Sequence, residues 1–363
     1  VAIFQLPSLI HLDRMTDSTG MIQHGIYGLP RRESGYTTDD NARALRLCAR
    51  LWQLNPIAEN LSRIACYLGF LEHARSPVRG FHNFMGYQRD WLDSGGTEDC
   101  QGQAVLALAE VVACRLPDNF HALALELLED ALPAAKELRS LRALAYLVQA
   151  WRFLEAVDSD RLESFSELAR GAADRLVECY VRSKRSDWYW FESRLTYANA
   201  VLPHALFDAE AMWADRGYRE VAEATFGFLD LSTSANGIFW PVGNREWYSH
   251  GEEKSLYDQQ PVEASTMAAA ALAAWDVTHD IKYLRIFDRS HRWFMGENSL
   301  GLVVADTREG SCCDGLAVNG LNKNQGAEST LAFLWTELLS KNLETTHIRN
   351  FVPALSSGET FAI

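Results

Sequence analysis

Carboxylates stand at five points of this 363-residue chain, each opening or closely preceding a run rich in alanine and leucine. Asp39 and Asp40 follow Tyr36-Thr37-Thr38 and open such a run at 42–52. Thr38 reads as its N-cap, and acids in a first turn are favoured by free N–H groups and the helix dipole. A cap needs one acid, however, and two side by side repel, so one of the pair is expected to aim into a cleft with a raised pKa. Glu98-Asp99, after Gly95-Gly96-Thr97, repeat the design. Glu192 differs: it sits among Trp188, Trp190 and Phe191, where an apolar surround would push its carboxyl into general-acid range. Glu263 follows Pro261, a good first helical residue, and Glu328 follows Gly326-Ala327; both fit first-turn acids as well as site residues. Glycoside hydrolysis requires an acid opposite a base or nucleophile, which makes Asp40, Glu98, Glu192 and Glu263 the candidate catalytic groups.

Around them lie residues suited to holding a sugar. Trp190, Tyr197, Trp240 and Trp247 offer flat faces for sugar rings. Asn41, Asn199, Gln259, Gln260, Asn324 and Gln325 offer amides for hydroxyls, and Asp39, Asp99, Asp187, Asp258 and Glu328 add acceptors. Arg43 is placed to pair with a carboxylate. His204, with His250 in a later loop, is a pair that a sugar epimerase would need on one substrate carbon, although a lone helical histidine is more often a satisfied core residue. No phosphate-cradling glycine loop and no Ser or Cys triad pattern is visible, and no cofactor is expected.

Positioning these groups falls to two alternating kinds of helix. An apolar, alanine-rich set begins near Asp40, Gln101, Ser140, Tyr197, Val262 and Ala327. Helices apolar on all sides are buried, and small residues let them pack closely. Between them, 58–75, 119–138, 161–182, 216–229 and 281–295 each carry one charged face and belong outside. Inner helices start roughly 40 to 65 residues apart, the period of a helical hairpin with its loops. Long, unequal, aromatic loops disfavour an open solenoid. The expectation is an all-α chain folded as one (α/α)6 toroid over 1–363, with a lead-in at 1–35 and a tail at 341–363. The sixth outer helix must come from one of those two ends. Inner-helix N-termini would then share one face, and the loops before them would line a common mouth.

Composition narrows the partners. A net charge of -14 argues against nucleic acid and anionic membrane surfaces. No run of spanning length and no signal peptide is seen. Seven cysteines, an odd number, are scattered; Cys48, Cys66, Cys114 and Cys179 read as small buried hydrophobes of a reducing, cytoplasmic compartment. Adjacent Cys312-Cys313 lack metal-ligand spacing, so no metal is expected. Val rather than Met in first place reads as a piece of a longer polypeptide.

Four motifs carry a resemblance. His11-Leu12-Asp13-Arg14-Met15-Thr16-Asp17, the stretch 35–45, Asp258-Gln259-Gln260-Pro261-Val262-Glu263-Ala264 and the stretch 324–330 resemble the helical domain that follows bacterial glycosyltransferases of the retaining family 4 type. More broadly the chain resembles the six-hairpin glycosidase superfamily, whose members carry catalytic Asp or Glu at the inner-helix mouth. That resemblance implies the toroid, an oligo- or polysaccharide ligand and a glycosyltransferase partner, and it transfers no catalytic assignment. Three activities fit: an inverting glycoside hydrolase foremost, then a sugar epimerase or isomerase, then a non-catalytic glycan-binding domain.

Overall fold

Helices with no polar face have nowhere to sit but between others, and that dictates the first layer. The computed structural model describes residues 6–76, 80–157 and 162–345. In chain order its helices are α1 (Ile10–Met15), α2 (Thr38–Leu54), α3 (Ala58–His73), α4 (Glu98–Ala113), α5 (Asp118–Ala135), α6 (Leu141–Leu154), α7 (Glu163–Ser183), α8 (Val201–Trp213), α9 (Arg216–Ser232), α10 (Pro261–Thr278), α11 (Ile281–Phe294) and α12 (Ala327–Thr345). The even-numbered helices form the inner ring: α2 packs on α4, α4 on α6, α6 on α8, α8 on α10, α10 on α12, and α12 returns to α2. Each of α3, α5, α7, α9 and α11 lies against the inner helix before it. The fold is an (α/α)6 toroid.

The sixth outer position is taken by the N-terminal stretch. Six-residue α1 packs on α12 and buries His11, Leu12 and Met15. The expected tail beyond Thr345 lies outside the described residues, as do 1–5.

Close packing of the ring follows from small side chains. At Gly102 of α4 an added Cβ would stand 2.9 Å from Tyr146 Cδ2 and 3.0 Å from Ala143 Cα, so only glycine allows α4 and α6 this approach. Alanines 104 and 107 of α4 and 143, 145 and 150 of α6 are also buried.

Two expected boundaries shift for local reasons. The cap of α2 is Thr37, whose Oγ1 accepts from Asp40 N at 3.4 Å, while Thr38 is buried and donates to the His82 carbonyl at 2.6 Å. Helix α8 starts at Val201, not near Tyr197: Ala198 is left-handed (φ 45°), and the Asn199 side chain closes a turn on Thr196 N (2.9 Å) and Thr196 O (2.7 Å). Tyr197 and Asn199 therefore belong to the loop ahead of the helix.

Contacts between helix starts gather the N-termini on one face. Arg43 of α2 meets Glu328 of α12, Glu98 of α4 meets the start of α6, Arg142 of α6 meets Thr196 and Tyr197 ahead of α8, and Glu263 of α10 meets Ala198 and Asn199. Small antiparallel strand pairs brace the loops there, such as Tyr36–Thr37 with Phe84–Met85 and Arg194–Leu195 with Tyr248–Ser249. Many loop aromatics point inward instead of lining a mouth: Trp188, Trp190, Phe191 and Phe239 are all buried.

Candidate functional site

The mouth is built around one guanidinium. Arg43, one turn into α2, pairs with Asp40 (3.0 Å), Asp39 (3.4 Å) and Glu328 of α12 (3.2 Å). Three carboxylates on one cation leave two charges uncompensated, and burial makes that costly. Burial first, then the neighbouring Asp39, push Asp40 up to about 7. Burial raises Glu328 as well, and its neighbours include Asp314 and His24. Burial would lower Arg43, but the three carboxylates outweigh it and raise the guanidinium, holding it cationic. Asp40 itself is buried, with Thr37 Oγ1 donating to its second oxygen at 2.7 Å, whereas Asp39 and Glu328 are partly open to solvent.

A second cluster faces the first. Tyr197, 40% exposed, donates its hydroxyl to Asp99, whose other oxygen accepts from Ser140 Oγ at 3.0 Å. Arg142 lies 4.4 Å over the Tyr197 ring and donates to Tyr197 O and Thr196 Oγ1, each at 2.6 Å. It also reaches Glu192 at 3.3 Å. Trp247 tilts beside Tyr197 with ring centroids 6.3 Å apart. This is the aromatic part of the mouth.

Below the mouth the ring encloses a cavity of about 570 Å³, with Arg43 and Glu328 in its upper wall and Asp276, Asn342 and Leu343 at the far end. Its wall carries a polar stripe at helical spacing on three inner helices: Arg43, Arg46 and Arg50 on α2; Tyr146 and Gln149 on α6; His204 and Asp208 on α8. Arg46 pairs with buried Glu110 at 2.9 Å and covers Trp335 at 4.8 Å. His204 Nε2 lies 3.5 Å from Asp208 Oδ2. Burial, with Arg46 nearby, lowers His204 to about 3, and burial raises Asp208 to about 7. The pair is therefore a neutral imidazole beside a carboxyl that keeps its proton up to neutral pH.

Other expected site residues are placed differently. Glu192 is partly exposed and held by Arg142, not embedded among its aromatic neighbours, which turn away into the core. Trp190 is fully buried against Phe191 and Phe228 and offers no face to a ligand. Glu98 is a staple, its Oε2 accepting from Arg139 N (2.6 Å) and Ser140 N (2.5 Å) at the start of α6. Glu263 is buried and accepts from Ala198 N (2.5 Å), Asn199 N (3.4 Å) and Asn199 Nδ2 (3.1 Å); burial still raises it to about 7.

The amides are mostly structural. Asn41 is buried and fixed to Met21 N (2.8 Å) and Thr37 O (2.8 Å). Gln259 is buried on Trp293 Nε1, Leu256 O and Ser299. Asn324 accepts from Tyr27 N at 3.0 Å, and the backbone of Gln325 receives His11 Nε2 at 3.2 Å. Gln260 caps α10 without a side-chain bond, Asp258 reaches Arg245 at 3.5 Å, and Trp240 donates to Leu256 O at 3.4 Å. His250 pairs with Asp187 at 3.0 Å on the surface and takes no part in the cavity wall that holds His204.

Arg142, Tyr146, Gln103, Arg46 and Asp208 were not anticipated from the sequence. Their signal was a polar residue recurring every three or four positions in otherwise apolar helices. Cys66 and Cys179 are half-buried, while Cys48 and Cys114 are buried as expected. Among the described residues no helix is long and apolar enough to cross a membrane.

No known protein family matches the chain by sequence, and no curated protein does either. Solved structures do match in shape. Cellobiose 2-epimerase from Bacillus thermoamylovorans B4167 is 14% identical, with 92% of this chain and 96% of that one covered at a TM-score of 0.71. A D-mannose isomerase is 13% identical over 91% and 94% of the two chains, with a TM-score of 0.69. A GH76 alpha-mannanase from Bacteroides thetaiotaomicron is 10% identical over 93% and 94%, with a TM-score of 0.66. At such identities the likeness carries the fold, and the chemistry must be argued from the residues.

Proposed function

We propose that this protein is a carbohydrate-active enzyme, and that its mouth hydrolyses a glycosidic bond with two carboxylates as acid and base. The observation that carries this reading is the convergence of Asp39, Asp40 and Glu328 on Arg43 above a cavity of sugar-accepting size. Asp40, half-protonated near pH 7, supplies the proton, and the partly open Asp39 and Glu328 are the groups a ligand meets. Tyr197 and Trp247 give the opposite side a stacking surface. Neighbours of the same fold include a mannanase, which supports a glycan substrate.

One observation favours a second reading. His204 and Asp208 stand side by side on the cavity wall, and two of the neighbours are named as an epimerase and an isomerase. The imidazole is neutral there but, lowered to about 3, only a weak base for a sugar C–H, and His250 does not supply a partner, so this reading stands second.

One experiment separates them. Incubation with manno- and gluco-oligosaccharides in deuterium oxide, followed by NMR, shows new reducing ends for a hydrolase and deuterium on the carbon beside the carbonyl for an epimerase. Binding with neither change supports a non-catalytic glycan-binding domain. A glycosyltransferase partner rests on the motif resemblance alone; co-purification of the two from a common host tests it.

A further inference from the structure

Ring closure decides how a ligand reaches the cavity. The six inner helices make an unbroken wall, so entry is along the axis and not through a lateral groove. Gln103 of α4 lines this cavity, 5% exposed, and its Oε1 is buried without a hydrogen-bond partner. Buried acceptors are almost always satisfied, so a small turn of this amide toward the cavity would offer its oxygen to a ligand's donor. Gln149, equally buried, holds its amide by donating Nε2 to Val201 O at 3.2 Å, and Ser265 adds a hydroxyl to the wall. The Trp335 ring lines the same space. Hydroxyl-seeking amides beside an indole, in a volume of about 570 Å³, suit one or a few pyranose units.

We propose that the axial cavity receives the terminal unit of a glycan end-on, with Gln103 accepting one of its hydroxyls, so that the protein acts at chain ends and not within chains. The proposal rests on the carbohydrate reading of the mouth and specifies its mode.

Titration calorimetry tests it with the full chain and manno- and gluco-oligosaccharides of two to six units. Each is presented free, capped at the non-reducing end by a 4,6-O-benzylidene group, or tagged at the reducing end with 2-aminobenzamide. Expected is binding of the free form, at least tenfold weakening by one of the two caps, and little effect of the other. Tryptophan fluorescence should change only where binding occurs. Gln103→Leu should weaken the free form about tenfold and leave the thermal midpoint near wild type; should that variant fail to fold, the capping comparison still decides. Equal affinity for free, benzylidene-capped and tagged oligosaccharides overturns end-on insertion while leaving the carbohydrate reading intact. No binding of any free oligosaccharide overturns both.

Discussion

Arg43 on the first inner helix and Glu328 on the last meet at 3.2 Å, so the charge cluster of the mouth is also the seam that closes the ring. Two helices nearly the whole chain apart are held by the same guanidinium that neutralises Asp39 and Asp40. Site and scaffold are one feature here, and mutations at the seam should show both effects.

Arg43→Met is the direct test of the seam. Removing one partner of a buried ion cluster leaves charges uncompensated, and the expected loss at pH 7.5 is on the order of 3 kcal/mol. Without the guanidinium, Asp40 and Glu328 move further above their unfolded values, so the native state takes up protons more readily. Their contribution is then largest at low pH and is lost as pH rises, and the deficit at pH 5 should be smaller than at pH 7.5. Urea unfolding at the two pH values measures it. Equal deficits would mean that the three acids do not depend on Arg43.

His204 and Asp208 predict a cancellation. Folding lowers His204 from 6.5 to about 3 and raises Asp208 from 3.8 to about 7. Between about pH 4 and 6.5 the unfolded pair carries its proton on the histidine and the folded pair carries it on the aspartate, so the proton count does not change. His204→Gln leaves only the raised acid: stability should fall as pH rises through that window, by up to about 1.4 kcal/mol per unit. Asp208→Asn leaves only the lowered histidine, and stability should rise relative to wild type over the same window. The double variant should keep the wild-type slope, because Asp40 and Glu263 tilt all four proteins alike. Thermal or urea unfolding at half-unit steps reads the slopes; two single variants deviating from wild type in the same sense would refute the proton exchange.

Glu98 and Glu263 should prove to be scaffold acids. Glu98 satisfies two backbone N–H groups at the start of α6, and Glu263 satisfies two more and an amide ahead of α8. Loss of a charged cap costs about 2 kcal/mol, and the more buried Glu263 should cost roughly 3. Glu98→Ala is expected to unfold at lower urea while keeping turnover within a few-fold. Turnover abolished at unchanged stability would instead make Glu98 a reacting group.

The sequence made the ring legible because its signal is redundant: six apolar helices, four of them with acids in the first turn, repeat one pattern that packing must obey. Where that redundancy ended, so did legibility. Acids at the starts of α4 and α10 look alike in sequence to those at α2, yet their neighbours differ: backbone N–H groups claim Glu98 and Glu263, and a guanidinium claims Asp40. Which partner an acid meets depends on the next helix of the ring, a relation no local window contains. Trp190 shows the same limit in reverse, since an aromatic run reads as a ligand platform or as a loop's own core with equal ease. The polar stripes of α2, α6 and α8 were within reach: Arg43, Arg46 and Arg50 keep helical spacing on α2, although only Arg43 stood out as a candidate beside its acids.

The last test addresses proton transfer at the mouth. Asp40 at about 7 is poised to donate near neutral pH, and because it shares Arg43 with Asp39 and Glu328 the observed titration will belong to the cluster. A hydrolase that needs this proton should lose activity above about pH 7. Asp40→Asn should lower turnover by roughly 10² to 10⁴ and flatten that alkaline limb. Glu328→Gln should lower turnover similarly and keep an alkaline limb, because it removes the acceptor and not the donor, but move that limb to lower pH, since Glu328 is one of the charges that raise Asp40. Substrate affinity should move little in either, since the ring contacts of Tyr197 and Trp247 remain. The measurement is turnover against pH on whichever oligosaccharide proves to be cleaved. An unchanged alkaline limb in Asp40→Asn would assign the proton to another acid, and Tyr197, whose hydroxyl is pushed upward by burial and Asp99, would remain protonated throughout and could not produce that limb.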